Sequence, residues 1–440
     1  MTRQQQLENY FNEREGLAAA SQSTKFDKMR LSPFRFFRGS AALMYQDLAD
    51  NTLVLPEPLT ELPLTYIMGD CHTGNFGFHS EEGSHGDSLI FEPNDFDDAC
   101  VGHAVWDLFR YLVSLPLTQL EGARLQESAT DVKDKSKPLV SKEQVSQAQF
   151  DFVNHYLRAC QQSLDYQVDS NTGLLSFDDN HILHKRWQKG LQRMAGGAAF
   201  TIKSTLAKEI DLSQKPLRFR EDKLKFKRLD PDVEENLIHH FAPYVDDAIL
   251  DCVERVDQGT GSLHLNRYYL LVGPAQQKPT KDILPLCHIV EIKQQQLASP
   301  LAFFSDLSPI NRLDPAHLTV NSQRKMQRRP DLILDNALWQ GAHWLVRSRH
   351  HARVGIDPED ITTGKRAAKK SGFSQYAQAC GEALALSHMR ADRRSLHFQA
   401  SCVETLPNLT DELVKLAQSY SDQVIADWQW FCQQQPEQPA

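Results

Sequence analysis

The sequence predicts a mixed α/β fold, helix-rich over most of its length and interrupted by strand-rich stretches. Three observations predict it. Residues 64–93 run as an apolar strand, a Gly-punctuated loop, a short apolar stretch and another strand, SLIFEP. Residues 255–293 are rich in β-branched and aromatic residues bounded by Gly and Pro, which suits strand–turn–strand pairing. Helical periodicity dominates elsewhere, above all at 373–392, where Phe373, Tyr376, Cys380, Ala383 and Leu384 fall on one stripe.

The elements follow in order. The first 60 residues read as helices ending in the connector LPEPLTELPL. LTYIMGD is a strand entering a loop, and NDFDDACVGH is a second loop. HAVWDLFRYLVSL is an amphipathic helix with Val105, Leu108, Phe109 and Leu112 on one face. Helical patterning with polar linkers fills 141–250, and the basic stretch Lys215–Arg228 reads as a solvated helix face. LTVNSQRKMQRR is a helix, LILDNALW and HWLVRSRHH are strands, and 409–434 is a final helix. The expected division is an N-terminal helical extension at 1–60, loops and helices at 61–250, a strand-rich region at 251–350 and a helical return at 351–440.

With 440 residues, 41% hydrophobic and 24% charged, the chain has ordinary globular composition, enough for two or three units at roughly 150 residues each. Its net charge of −9 argues against nucleic acid and anionic membranes as partners. The eight cysteines include no C-x-x-C pair, so neither zinc nor a disulfide framework is expected, and scattered thiols fit a reducing cytosol. The N-terminus has no signal-peptide pattern, and no run reaches the roughly 18 apolar residues of a membrane span. The expectation is a cytoplasmic protein with no obligate protein partner.

Chemistry concentrates in Gly69-Asp70-Cys71-His72-Thr73-Gly74-Asn75. Phosphoryl transfer from ATP needs a carboxylate to orient the acceptor hydroxyl and oxygen ligands to hold Mg²⁺ against the phosphates. Asp70 and Asn75, five residues apart, have the spacing at which a kinase catalytic loop supplies both. Asp95, after the strand SLIFEP, is placed to reach the same metal. As turn and cap formers, the same Asp and Asn residues could equally be structural.

Residues 66–113 resemble the catalytic segment of aminoglycoside phosphotransferases and choline kinases in the kinase-like superfamily. That branch reads G-D-x-H-x-x-N, then a D-F-[DE] motif, then a helix with W/Y-D-L; this chain has GDCHTGN, NDFDDA and VWDL. The resemblance implies Asp70 as catalytic base, Asn75 and Asp95 as Mg²⁺ ligands, and His72, Asp97 and Asp107 as supporting residues. The whole chain also resembles an uncharacterised bacterial family, the domain-of-unknown-function family numbered twenty-two fifty-two, through blocks such as SPFRFFRGSAALMYQDLA, GTGSLHLNRYYLLV, VEIK and YAQACGEALALSHMRAD.

A nucleotide lobe needs a Gly-rich turn and a strand Lys. Gly259, Gly261 and Ser262 offer the turn, and Lys293 in Val290-Glu291-Ile292-Lys293 offers the cation. His264 stands where a third Gly is usual, and no Glu occurs in 294–335 to pair with Lys293; Asp306 is a poor substitute, and Glu291 lies on its strand face. These parts come after the loops at 69–107, and LALSHMRAD resembles the helix that normally precedes a catalytic loop. The resemblance therefore implies a two-lobed kinase-like fold with a circularly permuted order and a helix-rich large lobe.

The function expected is an ATP- and Mg²⁺-dependent phosphotransferase acting on a small-molecule hydroxyl. Rival readings are nucleotidyl (AMP) transfer, a nucleotide-binding regulatory protein without turnover, and a metal-dependent hydrolase using Asp70, His72, Asp95 and Asp97. Trp106, Trp187, Trp339 and Trp344 read as packing residues, and Arg38 as a structural ion-pair partner with phosphate contact as the alternative.

Overall fold

The structure is a computed structural model and describes residues 1–83, 86–213, 217–256, 265–275 and 281–434. The N-terminal helices start where side chains satisfy free backbone donors. Thr2 and Gln5 form a capping box on α1 (Arg3–Tyr10), and Ser23 caps α2 (Thr24–Arg30). Ser32 followed by Pro33 starts α3 (Pro33–Gly39), and α4 (Ala41–Ala49) follows directly.

Four short strands come next: β1 (Thr65–Ile67), β2 (Phe76–Ser80), β3 (Leu89–Pro93) and β4 (Cys100–Gly102). They lead into the long helices α5 (Ala104–Glu127) and α6 (Lys142–Leu164), then α7 (His184–Arg193). The strand-rich part holds β5 (Ile210–Asp211), β6 (Arg218–Phe219), β7 (Phe226–Lys227), α8 (Pro231–Phe241), β8 (Ala248–Arg255), β9 (Arg267–Gly273), β10 (His288–Gln294), α9 (Pro315–Met326), β11 (Leu334–Trp339) and β12 (Ala342–Ser348). The chain closes through β13 (Arg353–Gly355), α10 (Gly372–Ala391) and α11 (His397–Gln433).

A six-stranded antiparallel sheet, in the order β11-β12-β10-β9-β8-β7, carries Lys293 on its third strand. One face packs Tyr268, Trp339 and Trp344 under α8, and the other packs Phe219, Tyr269 and Leu271. A second sheet places β2 between β13 and β3, so the segment after Asn75 and the segment before Asp95 run side by side. The largest core lies among α5, α6, α10 and α11, where Tyr111 stacks on Phe152 at 4.0 Å between centroids. Trp106, Trp339 and Trp344 are buried, and Trp187 donates to the Leu175 carbonyl at 2.9 Å.

Both chain ends meet on this core. Arg3 pairs with Asp47 and with Asp427, each at 2.5 Å, and Phe11 stacks on Phe431 at 4.8 Å.

Three expectations change. The basic stretch is not a helix face: its described part forms β6 and β7, which bury Phe219 and Phe226, because those two aromatics need a sheet face. Cys100–Gly102, expected as loop, pairs with β1 because Asn311 grips Val101 from outside, accepting its N–H and donating to its C=O, both at 2.9 Å. Helices α5 and α11 run through Pro116 and Pro407, extending beyond the predicted boundaries, since packing on one long face outweighs the lost backbone bond.

Gly381 lets α10 approach α6: a β-carbon there would lie 2.2 Å from the Phe152 carbonyl oxygen. We expect Gly381→Ala to cost about 1–3 kcal/mol or more in urea unfolding. Gly355→Ala, where a β-carbon meets nothing within 4 Å, should cost far less.

Candidate functional site

β1 delivers the chain to a loop whose backbone is fixed by one carboxylate. Asp107, in the first turn of α5 and fully buried, accepts from the N–H groups of Met68 at 2.7 Å and Gly69 at 3.0 Å. Behind it, His388 Nε2 lies 3.1 Å from the same carboxylate, and its Nδ1 faces the Tyr156 hydroxyl at 2.9 Å. That pattern makes Nε2 the donor to Asp107 and Nδ1 the acceptor from Tyr156. Thr65 on β1 donates to the His388 carbonyl at 3.0 Å, so the end of α10 sits against the strand entering Gly69. Gly69 has φ +73°, and a β-carbon there would fall 1.9 Å from the Asp98 carbonyl oxygen. Only glycine allows the two acidic loops to touch at this point.

Asp70 faces a cleft of about 300 Å³. Arg110, three residues beyond Asp107 on α5, reaches Asp70 Oδ1 through Nε at 2.7 Å and through its terminal amino group at 2.6 Å. Burial opposes ionisation of Asp70, but Arg110 and His72 outweigh it and hold the carboxyl below the usual range. His72 is buried, which pushes its pKa below the ordinary value, Asp70 opposing and Arg38 reinforcing. The Gly74 N–H donates to His72 Nδ1 at 3.0 Å, and Nε2 lies between Arg38 Nε at 3.1 Å and Asp70 Oδ2 at 3.5 Å. Asn75 donates its amide to the Asp70 carbonyl at 2.9 Å, so its Oδ1 is the atom left to face the cleft.

The second loop closes the other wall. The Asn94 N–H donates to the Asn75 carbonyl at 3.1 Å, which ties the loops in register. Asp95 lines the cleft and accepts no hydrogen bond among the described residues. Asp97 contacts Lys293 Nζ directly and accepts from Gln295 at 3.4 Å. Lys293 is almost fully buried, and burial lowers its ammonium pKa to about 8, Asp95 opposing. The Ser299 N–H donates to Asp98 at 2.7 Å.

The cleft thus gathers Asp70, His72, Asn75, Asp95, Asp97 and Lys293, with Asp107 behind the loop as its backbone anchor. Gly259, Gly261, Ser262 and His264 lie outside the described residues. Glu291 does not meet Lys293; it accepts from Arg347 at 2.8 Å and lies 3.4 Å from Arg267. Asp306 is exposed beside Arg312. Arg38 forms no ion pair among the described residues, contrary to its default reading; its Nε lies 3.1 Å from His72 Nε2 and its guanidinium lines the cleft.

Sequence reasoning missed Arg110, Arg347, Arg353 and Gln295, all at or against the cleft. The i, i+3 spacing from Asp107 to Arg110 was the one available signal.

Among the described residues no three His, Cys, Asp or Glu side chains are arranged to hold a metal by themselves. The oxygens of Asp95 and Asn75 suit a hard cation that takes one or two protein ligands and completes its shell with phosphate oxygens and water. No described helix is long and apolar enough to cross a membrane, and all eight cysteines are free.

A buried polar layer backs the site. Arg347 is held above its ordinary pKa because Glu291 and Asp331 outweigh its burial. Burial pushes Asp331 up to about 6, with Arg347 and His79 partly offsetting it.

A family model described as "Uncharacterized protein conserved in bacteria (DUF2252)" matches residues 18–434. No curated protein and no solved structure matches the chain.

Asp331 binds its proton more tightly folded than unfolded, so its favourable contribution is complete below about pH 4 and is lost as pH rises through about 6. Asp331→Asn keeps an oxygen to accept from Gln323. The melting temperature of the parent, relative to this variant, should therefore rise on acidification from pH 7 to pH 5; a constant difference would contradict it.

Proposed function

We propose that this chain, which belongs to the bacterial DUF2252 family, is an ATP- and Mg²⁺-dependent phosphotransferase acting on a hydroxyl of a small molecule. One observation carries the reading: Lys293, on a sheet strand 196 residues after Asp97, enters the same cleft as Asp70, Asn75 and Asp95. A phosphate-neutralising cation, a metal-binding carboxylate and amide, and an ionised carboxylate at the acceptor position are the parts that phosphoryl transfer needs together.

Each side chain has a defined task. Asp95 and the Asn75 Oδ1 would hold Mg²⁺, which when bound neutralises phosphate charge. Lys293 exchanges Asp97 for phosphate oxygens. Asp70 stays ionised because Arg110 holds it so, which suits it to accept the hydrogen bond of an incoming hydroxyl and aim the oxygen. In the reaction the acceptor oxygen forms the new bond to the γ-phosphorus. The bond to the bridging oxygen breaks, its electron pair leaves with ADP, and the hydroxyl proton passes by way of Asp70 to solvent. A strongly held Asp70 is a weak proton acceptor beforehand, which fits a transition state where bond formation lags bond breaking.

The finer fold reading belongs to the same proposal. The strand-rich region serves as a nucleotide lobe, and the helical remainder as the large lobe in permuted order. The seating of His388 beneath the Gly69 loop supports that order. Supply of ATP and Mg²⁺ and the free thiols favour the cytoplasm.

Two substitutions should differ in kind. Asp95→Ala should abolish Mg²⁺-dependent ATP binding in titration calorimetry. Asp70→Asn should bind Mg·ATP nearly as the parent does but lower transfer by roughly 10²–10⁴-fold. Lys293→Met should weaken ATP with or without Mg²⁺. Tight Mg·ATP binding by Asp95→Ala would shift the metal ligand to Asp97.

A further inference from the structure

A second cavity, of about 470 Å³, adjoins the cleft. It shares Arg38, Asp70, Asp98, Leu265 and Gln296 with the cleft but includes none of Asn75, Asp95, Asp97 or Lys293. Its other walls are the N-terminal segment through Tyr10 to Lys25, the start of α4 at Ala41 and Ala42, and the chain from Leu297 to Ala302. Asp70 and Asp98 are thus the carboxylates between a compartment with the metal-binding and phosphate-neutralising groups and one without them, and Asp98 already accepts from the Ser299 N–H. In-line transfer brings the acceptor to the phosphoryl from the side away from the leaving group, so these two compartments have different occupants.

The walls are built rather than incidental. Lys25 is buried and pairs with Glu15 at 2.6 Å, and Tyr10 donates to Glu15 at 3.4 Å. Arg14 lies over the Phe303 ring, 4.6 Å from its centroid, and donates to the Ala302 carbonyl at 3.3 Å.

Charge sorts the ligand. Lys25 and Glu15 cancel, Asp70 is taken by Arg110, and Asp98 accepts from the Ser299 N–H. Arg14 and Arg38 have no carboxylate within ion-pair distance among the described residues, and guanidinium groups bind carboxylate and phosphate through paired donors. We propose that the second cavity is the acceptor site and takes a small hydroxylated molecule bearing a carboxylate or phosphate, its anionic end on Arg14 and Arg38 and its hydroxyl at Asp70. The assignment rests on the phosphotransferase reading and adds to it the acceptor's class and place.

The test uses the full chain with γ-labelled ATP, Mg²⁺ and the small-molecule fraction of bacterial cells, split beforehand on an anion exchanger into bound and unbound pools. Mg·ATP binding is measured alongside by calorimetry. We expect label to enter a small molecule from the bound pool. Arg14→Glu, a change at an exposed position, should lower that transfer by about tenfold or more, the weight of one charge-assisted hydrogen bond. Ala42→Trp should fill the cavity and abolish transfer, with Mg·ATP affinity unchanged. Leu297→Trp, at an exposed lining position, serves as a second block should the first fail to fold. Label arising solely from the unbound pool overturns the ligand class. Undiminished transfer in Arg14→Glu and in a folded blocking variant overturns the site. No transfer by a parent that binds Mg·ATP also overturns the acceptor assignment, whereas a parent that fails to bind Mg·ATP overturns the phosphotransferase reading instead.

Discussion

The site depends on the Asp107 carboxylate. It is buried, and it accepts from two consecutive backbone N–H groups at the turn after β1 while His388 reaches it from α10. Removing a carboxylate from water is costly unless its oxygens are filled, and each hydrogen bond to a charged group contributes about 1.5–3 kcal/mol. Three elements distant in sequence are therefore held to one point: the loop at Gly69, the start of α5 and the end of α10. The Gly69 backbone fixes Asp70, and the same turn of α5 that presents Asp107 presents Arg110 one turn on. A single anchor thereby sets both the place and the ionisation of the carboxylate that faces the cleft.

Around that anchor the charges are arranged in separate pairs. Arg110 holds Asp70, Asp97 meets Lys293, and Glu291 gathers Arg347 and Arg267. Asp95 and Arg38 are left facing the cleft without a direct ion pair, and the Asp95 and Asn75 side-chain oxygens without a donor, among the described residues. Groups already bonded to the protein cost no reorganisation when a ligand arrives, whereas unpaired ones gain most from it. The split explains why both signs of charge share one narrow cleft without collapsing onto one another.

The strands and helices around the two acidic loops were legible because their signals are local: apolar runs ending in Gly or Asp, and stripes at helical spacing. Asp70, Asn75 and Asp95 stood out because their types and spacing match a chemical need. Lys293 could be named but not placed, since its partner is fixed by sheet register. Arg347 and Arg353 gave no signal, because a lone arginine reads as surface until the fold turns it inward. β4 was invisible for a related reason: its pairing is completed by Asn311, far along the chain. The basic stretch misled because alternating charge masked Phe219 and Phe226, whose burial decides the local structure.

The latch formed by Arg3 has a consequence for biosynthesis. Arg3 and Asp427 are 424 residues apart, and the Phe11 ring packs on Phe431. At ribosomal speeds of about 5–20 residues per second, the first helices wait roughly 20–80 s before the groups that hold them emerge. Through that interval Phe11 and its neighbours are apolar surface without a partner, the condition under which nascent chains recruit holding factors. The wall containing Tyr10, Glu15 and Lys25 is thus translated long before the groups that secure it, so a chain terminated between them can carry every acidic loop residue and still lack a closed second compartment.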